Sequence, residues 1–171
     1  MLRIRGMGLS SLARAYATGR RSIPNPTHVF LCVADHFEPE WQGADSDLQR
    51  QRMDRWLTEY PRTVDSCSDS RGRPPQHTFF YPIECYCEEH LEKLAKLVRS
   101  GYGDVEIHLH HDNDNADSLR DRLLDSVRTL HSRHGLLSKD AQGRLQYGFI
   151  HGNWALDNSH PDGRWLRVSR R

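Results

Sequence analysis

The sequence predicts an α/β fold with a parallel sheet. Four short segments rich in apolar, β-branched or aromatic residues have the pattern of strands, and three segments between them carry apolar residues at helical spacing. Parallel strands need a crossover connection, which a helix usually supplies, so this alternation favours one sheet with helical crossovers. A chain of 171 residues is about the size of one domain and can bury a sizeable core.

Composition restricts the classes of function. Five arginines lie in the first 21 residues and four in the last eight, and neither end contains an acid. Nucleic-acid-binding domains instead place basic and aromatic residues along one face, so no nucleic-acid partner is expected. No apolar run approaches the roughly 18 residues of a membrane span. The four cysteines are too few for a disulfide scaffold, which favours free thiols and a cytoplasmic location.

The domain organisation follows from this charge pattern. Residues 1–26 are predicted to be a basic, partly disordered leader, and residues 27–171 form the α/β domain. The leader is rich in arginine, contains serine and lacks acids, which is also typical of an organellar transit peptide. Cleavage of the leader and organellar targeting therefore stay open.

The first predicted strand runs from His28 to Asp35. It is nearly all apolar, as expected for a strand buried on both faces. Pro39 stops its continuation and leaves Asp35 and His36 at its carboxyl end. The next helix is predicted to begin at Asp45 or Asp47 and to end at Pro61. Its apolar stripe consists of Leu48, Met53, Trp56, Leu57 and Tyr60.

Two further β-α units follow. After a loop from Cys67 to Gln76, the second strand extends from His77 to Tyr81, and the helix behind it is capped by Gly101. The third strand begins at Val105. The last helix is predicted from about Asp117 to His134.

The end of the chain supplies one more strand. Gly135 lies just past the last helix, on which His131 and His134 are predicted to be surface residues because nothing pairs with them in sequence. The fourth strand runs from Tyr147 to about His151. Together these elements alternate from the first strand to the last, which predicts the parallel sheet.

The stretch from Val105 to Asp117 is the most informative chemically. Successive side chains of a strand point to opposite faces. One face would therefore carry Val105, Ile107 and Leu109, and the other Glu106, His108 and His110. Imidazoles beside carboxylates suit Zn, Fe or Mn. The alternative is a strand with a merely solvated polar face, followed by Asn115 or Asp117 capping a helix. For His108 alone we favour that alternative, and for the whole cluster we favour a metal.

The four strand ends carry chemically active groups. They are Asp35-His36, Tyr81 near Glu84, His110 to Asp114, and His151 to Trp154. The carboxyl ends of parallel strands meet at one edge of a sheet or barrel, where sites of α/β proteins form. A shared pocket on this edge is therefore expected.

Three segments at these strand ends resemble the NodB-like polysaccharide deacetylase superfamily, and especially its divergent branches. They are VADHFEP, EIHLHHDND and FIHGNWALD, and the resemblance covers roughly Val29 to Asp162. It implies a distorted (β/α) barrel. The family's later motifs would lie beyond Arg171, so this chain is expected to hold the N-terminal part of that barrel.

The resemblance implies roles for individual residues. Asp35 matches the general base, and His36 stands where the family has a second, metal-binding acid. His110 matches the first metal histidine, and Asp114 stands four residues later in place of the second. Metal ligands would therefore be His36, His110 and Asp114.

Other residues are expected around this centre. His108 and His111 would contact substrate or replace the missing ligand. Phe149-Ile150-His151-Gly152 resembles the third motif, but Ile150 occupies the position of an arginine and cannot orient a base. The pocket lining would be His151, Asn153 and Trp154, with Trp154 able to stack on a sugar ring.

The chemistry that the resemblance implies is hydrolysis of an amide or ester, typically an N-acetyl group on a carbohydrate. A divalent metal is expected, zinc first, with Fe, Co or Mn as alternatives. The substrate would be a carbohydrate or another small acylated molecule. An incomplete barrel would leave an open sheet edge, which predicts an oligomer or a partner that covers it.

Two other hypotheses remain. Substitution at His36, Asp114 and Ile150 fits a non-catalytic carbohydrate- or protein-binding remnant of the fold. The His108-x-His110 pair also suits an amidohydrolase-type metal hydrolase, although that pattern normally closes the first strand rather than the third.

Overall fold

The computed structural model describes residues 28–110 and 115–152, together with residues 3, 4, 7, 8, 10, 13, 14, 16 and 17. The chain divides into two units, Met1–Leu31 and Cys32–Arg171. In the first unit, strands β1 (Arg3–Ile4) and β2 (Met7–Gly8) pair antiparallel. The second unit contains the sheet that the sequence predicts.

The sheet consists of four parallel strands in the order in which they occur along the chain. They are β3 (Val33–His36), β4 (His77–Pro82), β5 (Gly103–Leu109) and β6 (Phe149–His151). The predicted parallel sheet with alternating β-α units is therefore confirmed. Each strand lies beside its predecessor, which is the order of a (β/α) barrel and not of a doubly wound sheet. The fold corresponds to part of such a barrel.

Three helices connect the strands. They are α1 (Ser46–Val64), α2 (Glu88–Arg99) and α3 (Ala116–Arg128). The Asp45 carboxylate accepts the backbone N–H of Leu48 at 2.9 Å and caps α1, so the helix begins at the first of the two predicted positions. Asn115 caps α3 by accepting two backbone N–H groups. Among the described helices, none is long and apolar enough to cross a membrane.

The core lies between the helices and one face of the sheet. Alternate residues of β4 and β5 are buried there, and the helices contribute the opposing layer. Its fully buried members include Phe79, Tyr81, Ile107, Leu109, Leu91, Leu94 and Leu130. Each such side chain contributes roughly 1.5–3 kcal/mol relative to an exposed one, so this layer holds β4 and β5 in place.

The first strand differs from its prediction. It begins at Val33 and not at His28, and all four of its residues are exposed. The reason is its position at the outer edge of the described sheet, where only β4 pairs with it. An apolar run that would suit a central strand therefore occupies an edge.

Two predictions about helices are also wrong. Pro61 does not end α1, because its carbonyl still accepts the N–H of Asp65 and the following turn buries Val64. The prediction that His134 is exposed is also wrong. His134 follows Leu130 by four positions and Val127 by seven, so it lies on the apolar face of the helix, and it is buried with its Nε2 3.2 Å from the Tyr86 hydroxyl.

Candidate metal centre

The second face of the sheet carries the polar groups. Val105, Ile107 and Leu109 of β5 point toward the core, so His108 points to the other face. Paired residues of neighbouring parallel strands share a face, and His36 pairs with Phe80, which pairs with Glu106. His36 and His108 therefore lie on the same side, with their ring centroids 4.2 Å apart.

His108 is not a solvated residue, as the sequence alone suggested, but is fully buried. Its Nδ1 lies 3.0 Å from the carbonyl oxygen of Ile150. Because a carbonyl can only accept, Nδ1 carries the proton, and in the neutral ring Nε2 has a lone pair. Burial lowers the pKa of His108, and the neighbouring His110 and His36 lower it further, so the neutral form is favoured.

Three imidazoles converge on one carboxylate oxygen. Oε1 of Glu38 lies 3.2 Å from Nε2 of His108, 3.0 Å from Nε2 of His110 and 3.6 Å from Nδ1 of His36. The Glu38 side chain is only 11% exposed. The two Nε2 atoms of His108 and His110 are 3.1 Å apart. Such crowding of nitrogen and oxygen donors is what a metal-binding site requires.

The donor set fits a cation. The lone pair of neutral His108 faces an acidic oxygen, and two acceptors in contact repel each other unless a cation or a proton lies between them. The bond from Nδ1 to a backbone carbonyl is the usual way to orient a metal-binding histidine. His36, Glu38 and His108 could therefore hold a metal ion, since their ligand atoms all lie within 4.8 Å of one another.

Glu38 is the residue that sequence reasoning missed. It follows His36 by two positions, so an extended chain places both side chains on one face. Pro39 disfavours the helical conformation for the residue before it, which favours an extended backbone at Glu38. These two signals together could have identified it.

The structure separates some of the predicted site residues. His36, His108 and His110 come together, but Asp35 points to the opposite face of the sheet, where its Oδ1 lies 3.0 Å from Nε2 of buried His77. His151 pairs with Leu109 and so shares the core-facing side of the sheet, opposite His108. Four further predicted residues lie outside the described part of the chain, namely His111, Asp114, Asn153 and Trp154.

A pocket of about 540 Å³ is lined by Asp35 and by two members of the cluster, His36 and Glu38, but not by His108 or His110. Because β3 is an outer strand, both faces of its carboxyl end reach this pocket. The lining residues are Asp35, His36, Phe37, Glu38, Pro39, Trp41, Arg52 and Trp56. The expectation of a pocket at the carboxyl ends of the strands holds for β3.

Gly152 lets the backbone approach the two histidines. A Cβ atom at this position would lie 2.5 Å from Cδ2 of His110 and 2.9 Å from Cε1 of His108. Its backbone N–H donates to the carbonyl of Leu109 at 2.8 Å. A glycine here is therefore a requirement of the cluster's packing.

Comparison with protein-family models, curated proteins and solved structures finds no match to this chain.

Proposed function

We propose that this protein is a metal-dependent hydrolase of the polysaccharide deacetylase type, which removes acyl groups from amide- or ester-linked carbohydrates. The observation that carries the proposal is the convergence of His36, His108 and His110 on a single oxygen of Glu38. The sequence resemblance suggests the reaction class, and the cluster is a candidate metal site near the carboxyl ends of the parallel strands.

Zinc is the metal that we propose first. Two imidazoles and one carboxylate form the ligand set of many catalytic zinc sites, with a position left open. A divalent ion held there would polarise an acyl oxygen and lower the pKa of a water molecule. Fe, Co and Mn remain alternatives, because the same donor set also holds iron in oxygenases.

Asp35 is proposed to accept a proton from the attacking water. Its side chain is 44% exposed, and it lines the pocket beside His36 and Glu38. Oδ1 is held by His77, whereas Oδ2 has no hydrogen-bond partner in the described part of the chain. His77 is fixed in turn by the rings of Phe79 and Trp56, at centroid distances of 4.4 and 4.9 Å. His77 would thus orient the base, which Ile150 cannot do.

Acyl hydrolysis by the zinc-loaded chain tests this proposal. We expect release of 4-nitrophenol from 4-nitrophenyl acetate and of acetate from an acetylated oligosaccharide. Asp35→Asn should lower both rates by about 10²- to 10⁴-fold, the usual contribution of a general base, while the zinc content stays unchanged. The matched control is Asp104→Asn, because Asp104 is an exposed carboxylate of β5 that does not line the pocket.

A folded, zinc-loaded chain that hydrolyses neither substrate faster than its metal-free form would contradict the proposal. The non-catalytic binding remnant would then be the better account. Hydrolysis that Asp35→Asn leaves unchanged would favour the amidohydrolase-type alternative, for which the contact of His108 with His110 is the supporting observation.

A further inference from the structure

Arg52 is the cationic side chain of the pocket that the proposed chemistry does not use. It lies on α1 and is partly buried. One terminal nitrogen, Nη1, donates to the carbonyls of Pro39 and Trp41 at 2.7 and 2.9 Å. These bonds fix the guanidinium group at the wall of the pocket.

The rest of the guanidinium group has no protein partner in the described part of the chain. Neither Nε nor Nη2 of Arg52 makes a hydrogen bond or an ion pair there. Arginine presents its N–H groups in a planar fork that matches the oxygens of a carboxylate or a phosphate. The loop contacts thus use one nitrogen, and the remaining edge of the fork is available to a ligand.

Two acids also line the pocket, but each has other partners. Glu38 faces three imidazoles, and Oδ1 of Asp35 faces His77. Neither carboxylate lies within 4.0 Å of the Arg52 guanidinium in the described structure. Because both carboxylates are engaged by histidines, the N–H groups of Arg52 that have no partner in the described part of the chain favour an anionic group at this wall with or without a metal ion.

Aromatic side chains stand beside the arginine. Trp41 is 60% exposed, and Trp56 packs edge-on against Phe37 with a centroid distance of 5.5 Å. Both indoles line the same pocket as Arg52. A ligand with one acidic group and a ring or other apolar face would match this combination.

We infer that the pocket recognises an acidic substrate, whose carboxylate or phosphate group binds the free edge of the Arg52 guanidinium. The inference deepens the proposed function, on which it rests for the position of the acyl group, and it narrows the substrate class to anionic acyl compounds. Arg52 is then a specificity-determining residue outside the metal centre.

The test uses three small probes that share an aromatic ring, namely benzoate, phenyl phosphate and the neutral benzyl alcohol. Their dissociation constants are measured by NMR titration on the zinc-loaded chain and on the chain dialysed against a chelator. We expect at least one anionic probe to bind about 10- to 100-fold more tightly than benzyl alcohol, as a charge-assisted pair implies. The tighter of the two anions identifies the acidic group.

Variants locate the binding group. Arg52→Gln should abolish the preference for the anionic probe in both metal states. Arg55→Gln should retain it, because Arg55 lies on the same helix, pairs with Glu59 and does not line this pocket. Arg52→Lys keeps the positive charge and a donor for the loop carbonyls, and we expect it to retain only part of the preference.

Equal binding of all three probes to the unaltered chain would overturn the inference, as would a preference that persists in Arg52→Gln or in Arg52→Lys at full strength. If Arg52→Gln does not fold, the affinities of the three probes for the unaltered chain and for Arg52→Lys still test whether Arg52 binds the anionic group. Failure of the proposed function would be distinguishable from failure of this inference. In that case the chain would contain no zinc and would not hydrolyse the acyl substrates, but the chelator-treated chain would still prefer an anionic probe.

Discussion

Single atoms decide whether the cluster can hold a metal. The hydrogen bond from Nδ1 of His108 to the carbonyl of Ile150 fixes the orientation of the ring and directs Nε2 at Glu38. The ring has no freedom to turn away, since it is completely buried. Because backbone packing maintains this orientation, small changes beside the ring should alter metal affinity without removing any ligand.

Gly152→Ala is such a change. The added methyl group would collide with His110 and His108, so we expect both rings to shift and zinc affinity to fall about 10- to 100-fold, as when an orienting contact is lost. Competition with a chromophoric chelator measures the affinity. Gly148→Ala is the matched control, because its Cβ would meet only ordinary contacts at 3.5 Å with Glu106 and Phe80. Equal zinc affinity of the two variants would refute this account of Gly152.

Local patterns predicted the elements that local interactions determine. The alternation in β5, the helix start at Asp45 and the stop after α2 at Gly101, whose φ is +85°, all follow from short-range rules, and the structure confirms them. The parallel sheet followed from the order of these elements along the chain.

Tertiary surroundings determined what the sequence could not predict. The run beginning at His28 has the composition of a central strand, but only the order of strands in the sheet places β3 at an edge. His108 alternates with apolar residues as a solvated side chain would, and only its closeness to Ile150 and Glu38 makes it buried. The exposure of β3 and the burial of His108 both depend on position in the sheet, which cannot be read from a local stretch of sequence.

Only part of the candidate site could be predicted from the sequence, again because the rest depends on tertiary contacts. Alternation and strand ends identified His36, His108 and His110, whereas Glu38 and the partnership of Asp35 with His77 depend on contacts between β3 and its neighbours. Distances of 42 and 70 residues along the chain separate these partners. Sequence spacing carries no information about such pairs.

At the scale of the whole molecule, three buried histidines link stability to pH. His90, His108 and His134 are at most 9% exposed, and burial lowers the pKa of each imidazole in the folded state. In the unfolded chain they titrate near their ordinary pKa of about 6.5. The unfolded state therefore binds more protons just below this pH, and the free energy of unfolding should fall as the pH drops.

Urea unfolding of the chelator-treated chain between pH 7.5 and 5.5 checks this expectation. We expect lower stability at each step toward pH 5.5, and a shallower dependence in His134→Gln. The exposed His28 provides the control, since His28→Gln should leave the dependence unchanged. Partly buried Glu106 has a raised pKa and acts in the opposite direction, so the comparison with His134→Gln, which leaves Glu106 in place, isolates the contribution of the histidine. Stability that is constant or increases toward pH 5.5 would contradict the account.

Glu38 and the histidines around it are proposed to hold a metal ion. Elemental analysis of the purified chain, the Glu38→Gln variant and the His90→Gln variant tests it most directly, with circular dichroism to show that each is folded. Glu38→Gln preserves size and removes the charge, while His90 is a buried histidine outside the cluster. We expect about one equivalent of zinc or another transition metal in the chain and in His90→Gln, and almost none in Glu38→Gln. A folded chain without metal, or a Glu38→Gln variant that retains a full equivalent, would contradict the claim.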